Sequence, residues 1–205
     1  MKISTSILGI KENLEEKIKI LEKSNTDLIH LDIMDNIFVD NYSDFSNLKI
    51  NKNKDIHLMV QSVLPYVDLY SNLNPEYITF HYETGNVQEK INYIKEKKIK
   101  VGLSIKPNTK VEEIVPYLNQ IDLVLVMSVE PGYGGQAFLP IAVSKVDQLV
   151  NLREKNNYSY LIEVDGGINP TTAKDLNADI LVVGSYITSS DDYQKRIVEM
   201  KECQK

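Results

Sequence analysis

The chain has 205 residues, long enough for one sizeable core, and no linker or composition shift divides it, so residues 1–205 are expected to form a single domain. Its 23 basic and 29 acidic side chains leave a formal net charge of −6, which argues against a nucleic-acid partner because no basic stripe is present to neutralise phosphates. The lone cysteine, Cys203, excludes a disulfide framework and a cysteine metal cluster, and no apolar run approaches a signal-peptide core or the ~18 residues of a membrane span. The expectation is a cytoplasmic protein with no membrane partner.

In chain order, the first strand candidate is "KISTSIL". Leu14, Ile18 and Leu21 follow at i, i+4 and i+7, the spacing of one helical face. "LIHLDI" is the second strand. The next stretch, "NIFVDNYSDFSNLKINKNK", has the weakest helical pattern and reads as loop with one short turn. "DIHLMV" and "EYITFH" are the third and fourth strands, after which Val87, Ile91 and Ile94 repeat the helical spacing and "KEKKIK" reads as a solvated helix end. "KVGLSI", "DLVLVMSV", "YLIEVD" and "DILVVGS" complete eight strands, and Tyr193, Ile197 and Met200 mark a last helix.

Near-continuous apolar strands alternating with amphipathic helices require a parallel sheet, because parallel neighbours need a helical crossover. Eight such units predict a closed eightfold β/α (TIM) barrel, at the short end of a range that starts near ~200 residues. An open doubly wound sheet would place a glycine-rich dinucleotide turn after the first strand, and "SILGIKEN" offers only Gly9.

In a β/α barrel, chemistry gathers at the C-terminal ends of the strands. His30 and Asp32 lie at the end of the second strand, His57 in the third, His81 at the end of the fourth and Asp165 at the end of the seventh. Side chains at i and i+2 share one face of a strand, so His30 and Asp32 point the same way. Taken alone the pair reads as a hydrogen-bonded strand end; with His57 and Asp165 it becomes a nitrogen and oxygen shell for one divalent metal ion, zinc, iron(II), manganese or cobalt. His81 reads as a site-edge or structural histidine donating to a neighbour.

"EPGYGGQAF" after the sixth strand carries Gly132, Tyr133, Gly134 and Gly135, a loop able to approach a ligand and to close. Gly166 and Gly167 after the seventh strand, and Gly184 and Ser185 after the eighth, occupy positions where such barrels hold a phosphate on backbone N–H groups. Each glycine taken singly could also be no more than a turn. Met34, Met59 and Met127 fall at the ends of three strands, where core filler is the default reading and a polarizable, water-poor lining the functional one.

These residues resemble the ribulose-phosphate 3-epimerase family. "HLDIMD" with "FVDN", "DIHLMV", "ITFH", "VGLSIKPNT", "VLVMSVEPGYGGQAF", "IEVDGGI" and "VVGS" match its motifs in order along essentially the whole chain. The resemblance implies a ribulose-phosphate-binding barrel and a metal-dependent inversion of carbon 3 that converts D-ribulose 5-phosphate to D-xylulose 5-phosphate in the pentose phosphate pathway. It places His30, Asp32, His57 and Asp165 as metal ligands, with Asp32 and Asp165 as the acid/base pair. Ser6 matches a substrate-binding serine, and the glycine sites with Ser185 match substrate and phosphate contacts. His57, Asp165 and the three methionines would also face the phosphosugar. The chain departs from the family at Asn36, Ile37 and Asp40, where glycine, histidine and proline are usual, and at Tyr186, where a small residue follows "GS".

Rival readings share the barrel. An epimerase acting on a hexulose phosphate such as D-allulose 6-phosphate would keep the same shell and lengthen the sugar pocket. Related decarboxylases need a lysine where "DIMD" has Met34. A phosphosugar-binding or structural metalloprotein without catalysis would need the acid pair missing or the site blocked, and both acids are present. A homo-oligomer is left open.

Overall fold

A computed structural model describes residues 1–203. Strand β1 (Lys2–Ser6) leads into helix α1 (Leu14–Lys23) and β2 (Leu28–Asp35); β3 (Tyr42–Ser43), β4 (Lys54–Met59), α2 (Val63–Ser71) and β5 (Tyr77–His81) follow. The chain continues through α3 (Val87–Glu96), β6 (Lys100–Ile105), α4 (Val111–Ile114), β7 (Leu123–Met127) and α5 (Ile141–Asn156). It ends with β8 (Leu161–Asp165), β9 (Ile180–Val183), α6 (Ser185–Thr188) and α7 (Tyr193–Glu202). The sheet order β1-β9-β8-β7-β6-β5-β4-β2 closes through the β1–β2 pairing, and every neighbour round that ring is parallel. The predicted eightfold barrel is present.

The stretch read as loop holds β3, two residues that fold back antiparallel on the end of β2, with Met34 opposite Ser43. The reversal starts at Asn36, whose φ of 57° lies in the left-handed region. That explains one departure from the family: asparagine is the commonest substitute for glycine where φ is positive. The carboxylate of Asp35 then accepts the Ile37 and Phe38 N–H groups, both at 2.9 Å, and fixes the turn.

The strands have two kinds of face. Leu31, Ile33, Ile56, Leu58, Val124, Val126 and Val164 face outward into one large cluster with Ile18 and Leu21 of α1, Ile91 and Ile94 of α3, and Ile197 and Met200 of α7. The helical residues are those whose spacing predicted the helices, and each buried Leu or Ile contributes roughly 1.5–3 kcal/mol. On the alternate face, Leu28, Tyr77, Leu123, Leu125 and Ile180 form a separate apolar floor inside the barrel. Beside and above that floor the same face carries polar residues, most of them on other strands, with Ser4, His30, Asp55 and Glu163 all at 0% exposure. Two residues further along their strands come Ser6, Asp32, His57 and Asp165. The site is therefore the top layer of a polar column standing on an apolar floor.

Candidate active site and metal centre

Register brings the constellation together. Asp32 pairs with His57 across β2 and β4, Ser6 with His30 across β1 and β2, and Met127 with Asp165 across β7 and β8. One ligand atom from each of His30, Asp32, His57 and Asp165 lies within 4.8 Å of the others. Asp32 Oδ1 sits 3.2 Å from both His30 Nε2 and His57 Nδ1, while its Oδ2 accepts from Ser6 Oγ at 2.7 Å.

The donor set fits a divalent ion. His30 Nδ1 donates to Asp55 Oδ2 at 2.7 Å, and Asp55 also accepts from Ser4 Oγ at 3.1 Å. That leaves His30 Nε2 buried, without a well-aligned hydrogen bond and directed at the cluster, where Asp32 Oδ1 is its neighbour at 3.2 Å. A buried polar atom without an aligned partner needs a reason, and a carboxylate behind one imidazole nitrogen is the usual arrangement for presenting the other to a metal. This buried cluster can hold a metal ion.

Electrostatics separates the carboxyl groups into two kinds. Burial would raise Asp32, but the charge and hydrogen bonds of His30 and His57 win and hold it well below the carboxylate range. Asp165 lies across the mouth without such donors; burial, helped by the charge of Asp32, pushes its carboxyl up to about 6. Burial and then the neighbouring Asp55 hold Glu163, under the site, well above its usual range. His30 would be lowered by burial, yet flanking Asp32 and Asp55 hold it well above the ordinary imidazole value. Two carboxylates around one imidazole attract a positive charge, whether proton or cation.

Above the cluster is a cavity of about 380 Å³ whose wall includes Ser6, Asp32, Asp165, Met34, Met59 and Met127. Its rim is closed by two loops. Asn41 Nδ2 donates to the Gly132 carbonyl at 2.7 Å, and the Tyr133 hydroxyl donates to the Asp40 carbonyl. At Gly167, φ is +61° and a Cβ would stand 2.6 Å from the Phe138 N, so only glycine lets the loop after β8 pass this close to the loop after β7.

The model of the ribulose-phosphate 3 epimerase family matches residues 2–188. The chain belongs to that family. A protein from Bacillus subtilis named ribulose-phosphate 3-epimerase is 33% identical over 214 residues, covering 98% of each chain. One of the same name from Methanocaldococcus jannaschii is 35% identical, covering 98% of this chain and 90% of the relative. Among solved structures, 3-hexulose-6-phosphate synthase from Salmonella typhimurium superposes with a TM-score of 0.69 at 18% identity, covering 100% of this chain and 98% of that one. KGPDC from Streptococcus mutans superposes at 0.73 and 10% identity, covering 99% of this chain and 96% of that one. At such identities these two share the fold alone.

In this epimerase the cavity wall also includes Gly132, Tyr133, Gly134, Gly135, Gly166, Gly167, Gly184 and Ser185, so the loops after β7, β8 and β9 meet as the motifs implied. His30 and His57 are fully buried below that wall. Tyr186 stands outside the main cavity, on a neighbouring cleft with Gly167 and Ser185; its hydroxyl donates to Glu199 at 2.6 Å and Arg196 covers its ring at 4.8 Å. Among the described residues no helix is long and apolar enough to cross a membrane. Sequence reading missed Asp55, Glu163 and Ser4 below the site, although each stands two residues before a residue it had selected, on the same strand face. It also missed Asn41, which no local pattern marks.

Proposed function

We propose that this epimerase interconverts D-ribulose 5-phosphate and D-xylulose 5-phosphate by inverting carbon 3, with Asp32 and Asp165 as the two proton-transfer groups. The observation that carries the reading is the asymmetry between them. One carboxyl faces two imidazole nitrogens at 3.2 Å, which hold it well below its usual range, and the other, in the same mouth, is pushed up to about 6. Inversion beside a carbonyl needs a base on one side of the carbon and an acid on the other. Asp32 takes the carbon 3 proton, and protonated Asp165 delivers one from the opposite side; the roles exchange in the reverse direction. Ser6 donates to Asp32 Oδ2 and so fixes the orientation of the carboxylate.

His30, Asp32, His57 and Asp165 would hold a divalent ion, which would supply Lewis-acid stabilisation of negative charge developing on the sugar oxygens. The buried methionines keep the mouth poor in water, and the tethered Asn41 and Tyr133 keep the rim shut. The loops carrying Gly166, Gly167, Gly184 and Ser185 offer backbone N–H groups to the phosphate, so an acidic protein can bind an anion through neutral donors.

Purified protein is assayed with ribulose 5-phosphate and with allulose 6-phosphate, each with and without chelator. Turnover of the pentulose, lost with chelator and restored by a divalent ion, is expected, with deuterium from solvent entering carbon 3. Asp32→Asn should lower the rate at least ~10²-fold. Preference for the hexulose would move the assignment to an allulose-phosphate epimerase, and no turnover of either sugar would overturn it.

A further inference from the structure

The three histidines of the chain form a file. His57 Nε2 lies 2.9 Å from His81 Nε2, and His81 Nδ1 lies 3.1 Å from Glu83 Oε2. Both rings are fully buried. Glu83 is held from its other oxygen by the Lys106 N–H at 2.8 Å and by the Thr109 hydroxyl. Lys145 Nζ in turn donates to the carbonyls of Lys106 and Thr109, at 2.7 and 2.6 Å, and braces the loop that supplies those donors. Phe38 packs on the His81 ring, 4.8 Å between centroids.

A hydrogen bond between two neutral imidazoles can run either way, and the carboxylate decides. Glu83 only accepts, so the proton of His81 must be on Nδ1. His81 Nε2 then carries a lone pair, and the hydrogen bond between the rings can form only if His57 donates from Nε2. In the reverse arrangement a bare His81 Nδ1 would face carboxylate lone pairs, and His57 would carry its proton on Nδ1 and donate it to Asp32 Oδ1, 3.2 Å away. Resting on the metal-site reading above, we infer that, once a cation takes the place of the proton between His57 Nδ1 and Asp32 Oδ1, His81 and Glu83 are positioning residues that lock the His57 proton on Nε2 and turn Nδ1, as a bare donor atom, toward the metal cluster. His30 obtains the same result directly from Asp55, with the nitrogens reversed. His57 obtains it through a second imidazole.

The test reads metal affinity and protonation, not turnover. Zn²⁺ binding to metal-freed protein is measured by competition with a chromophoric chelator, and ¹⁵N-histidine NMR shows which nitrogen of His57 bears hydrogen. His81→Asn keeps a donor for Glu83 but removes the acceptor for His57, and should weaken Zn²⁺ binding ~10–100-fold. His81→Gln restores an acceptor at the Nε2 position and should restore affinity. Parental affinity in His81→Asn, or a His57 proton on Nδ1 in the unaltered zinc-loaded protein, overturns the inference; the second measurement needs no variant to fold. No Zn²⁺ binding by the unaltered protein would remove the metal-site reading and this inference together, an outcome distinct from binding that the His81 variants leave unchanged.

Discussion

Replacing Asp165 by asparagine should stabilise the metal-free protein in a pH-dependent way. The folded state raises the Asp165 carboxyl from its ordinary 3.8 to about 6, through burial first and the charge of Asp32 second. A raised folded pKa means that the native state binds this proton more tightly than the unfolded chain does. The stability contributed by that proton is fully present below 3.8 and is lost as pH rises through about 6. The whole shift is worth about 3 kcal/mol. Asparagine has the shape of the protonated acid at every pH, so it escapes the loss. From about pH 4 to about pH 8 the stability of Asp165→Asn should therefore gain about 2.5 kcal/mol on the parent. Urea unfolding of both proteins in chelator, at several pH values across that range, measures the gap. A gap that stays constant with pH would show that the carboxyl is not strained in the way the geometry requires.

Two further perturbations address the scaffold and the rim. At Gly102 on β6 a Cβ would lie 2.0 Å from Thr79 Oγ1 and 2.8 Å from Thr79 Cβ on the paired strand, so Gly102→Ala should cost about 1–3 kcal/mol in urea unfolding, recovered in the double variant with Thr79→Gly relative to Thr79→Gly alone; equal stability of Gly102→Ala and parent would refute the clash. Tyr133→Phe removes the hydroxyl that ties the loop after β7 to Asp40, and loss of one such bond, about 0.5–1.5 kcal/mol, should lower kcat/KM ~2–10-fold without lowering Tm. An unchanged kcat/KM would show that the tether has no part in closure.

The barrel was legible because period and polarity agreed along the chain. Outward residues such as Leu31, Ile33, Ile56 and Leu58 gave apolar continuity, and the residues that interrupted it, His30, Asp32 and His57, marked the inner face. The support under the site was carried by the same period of two, since Asp55 precedes His57 by two residues as Glu163 precedes Asp165. Attention to strand ends passed over it. The short β3 left no trace because two residues cannot show a period, and its pairing depends on the left-handed turn at Asn36. The rim contacts were invisible for another reason: Asn41 reaches Gly132 across 91 positions of sequence, and that proximity exists only after the barrel has closed. His81 was read as a histidine donating to a neighbour, but the direction of its bonds depends on Glu83, which a short turn beyond the strand brings back to the ring.

The charge pattern under the mouth has a consequence for metal binding itself. Asp32, Asp55, Glu163 and Asp165 place four carboxyl groups around His30, and an interior cannot hold four negative charges without compensation. In the metal-free protein protons are the available compensation: burial and Asp55 strengthen the hold of Glu163 on one, and Asp32 and Asp55 strengthen the hold of His30 on a second. A divalent ion needs the lone pair on His30 Nε2, so it must displace the second proton. Glu163 makes no such demand, since it lies behind Asp55 and keeps its proton. Zn²⁺ binding near pH 7 should thus release on the order of one proton per ion, seen as a heat of binding that changes between two buffers of different ionisation enthalpy. A binding heat independent of buffer would mean that His30 is already neutral in the metal-free protein, and that Asp32 and Asp55 do not act on it as their distances require.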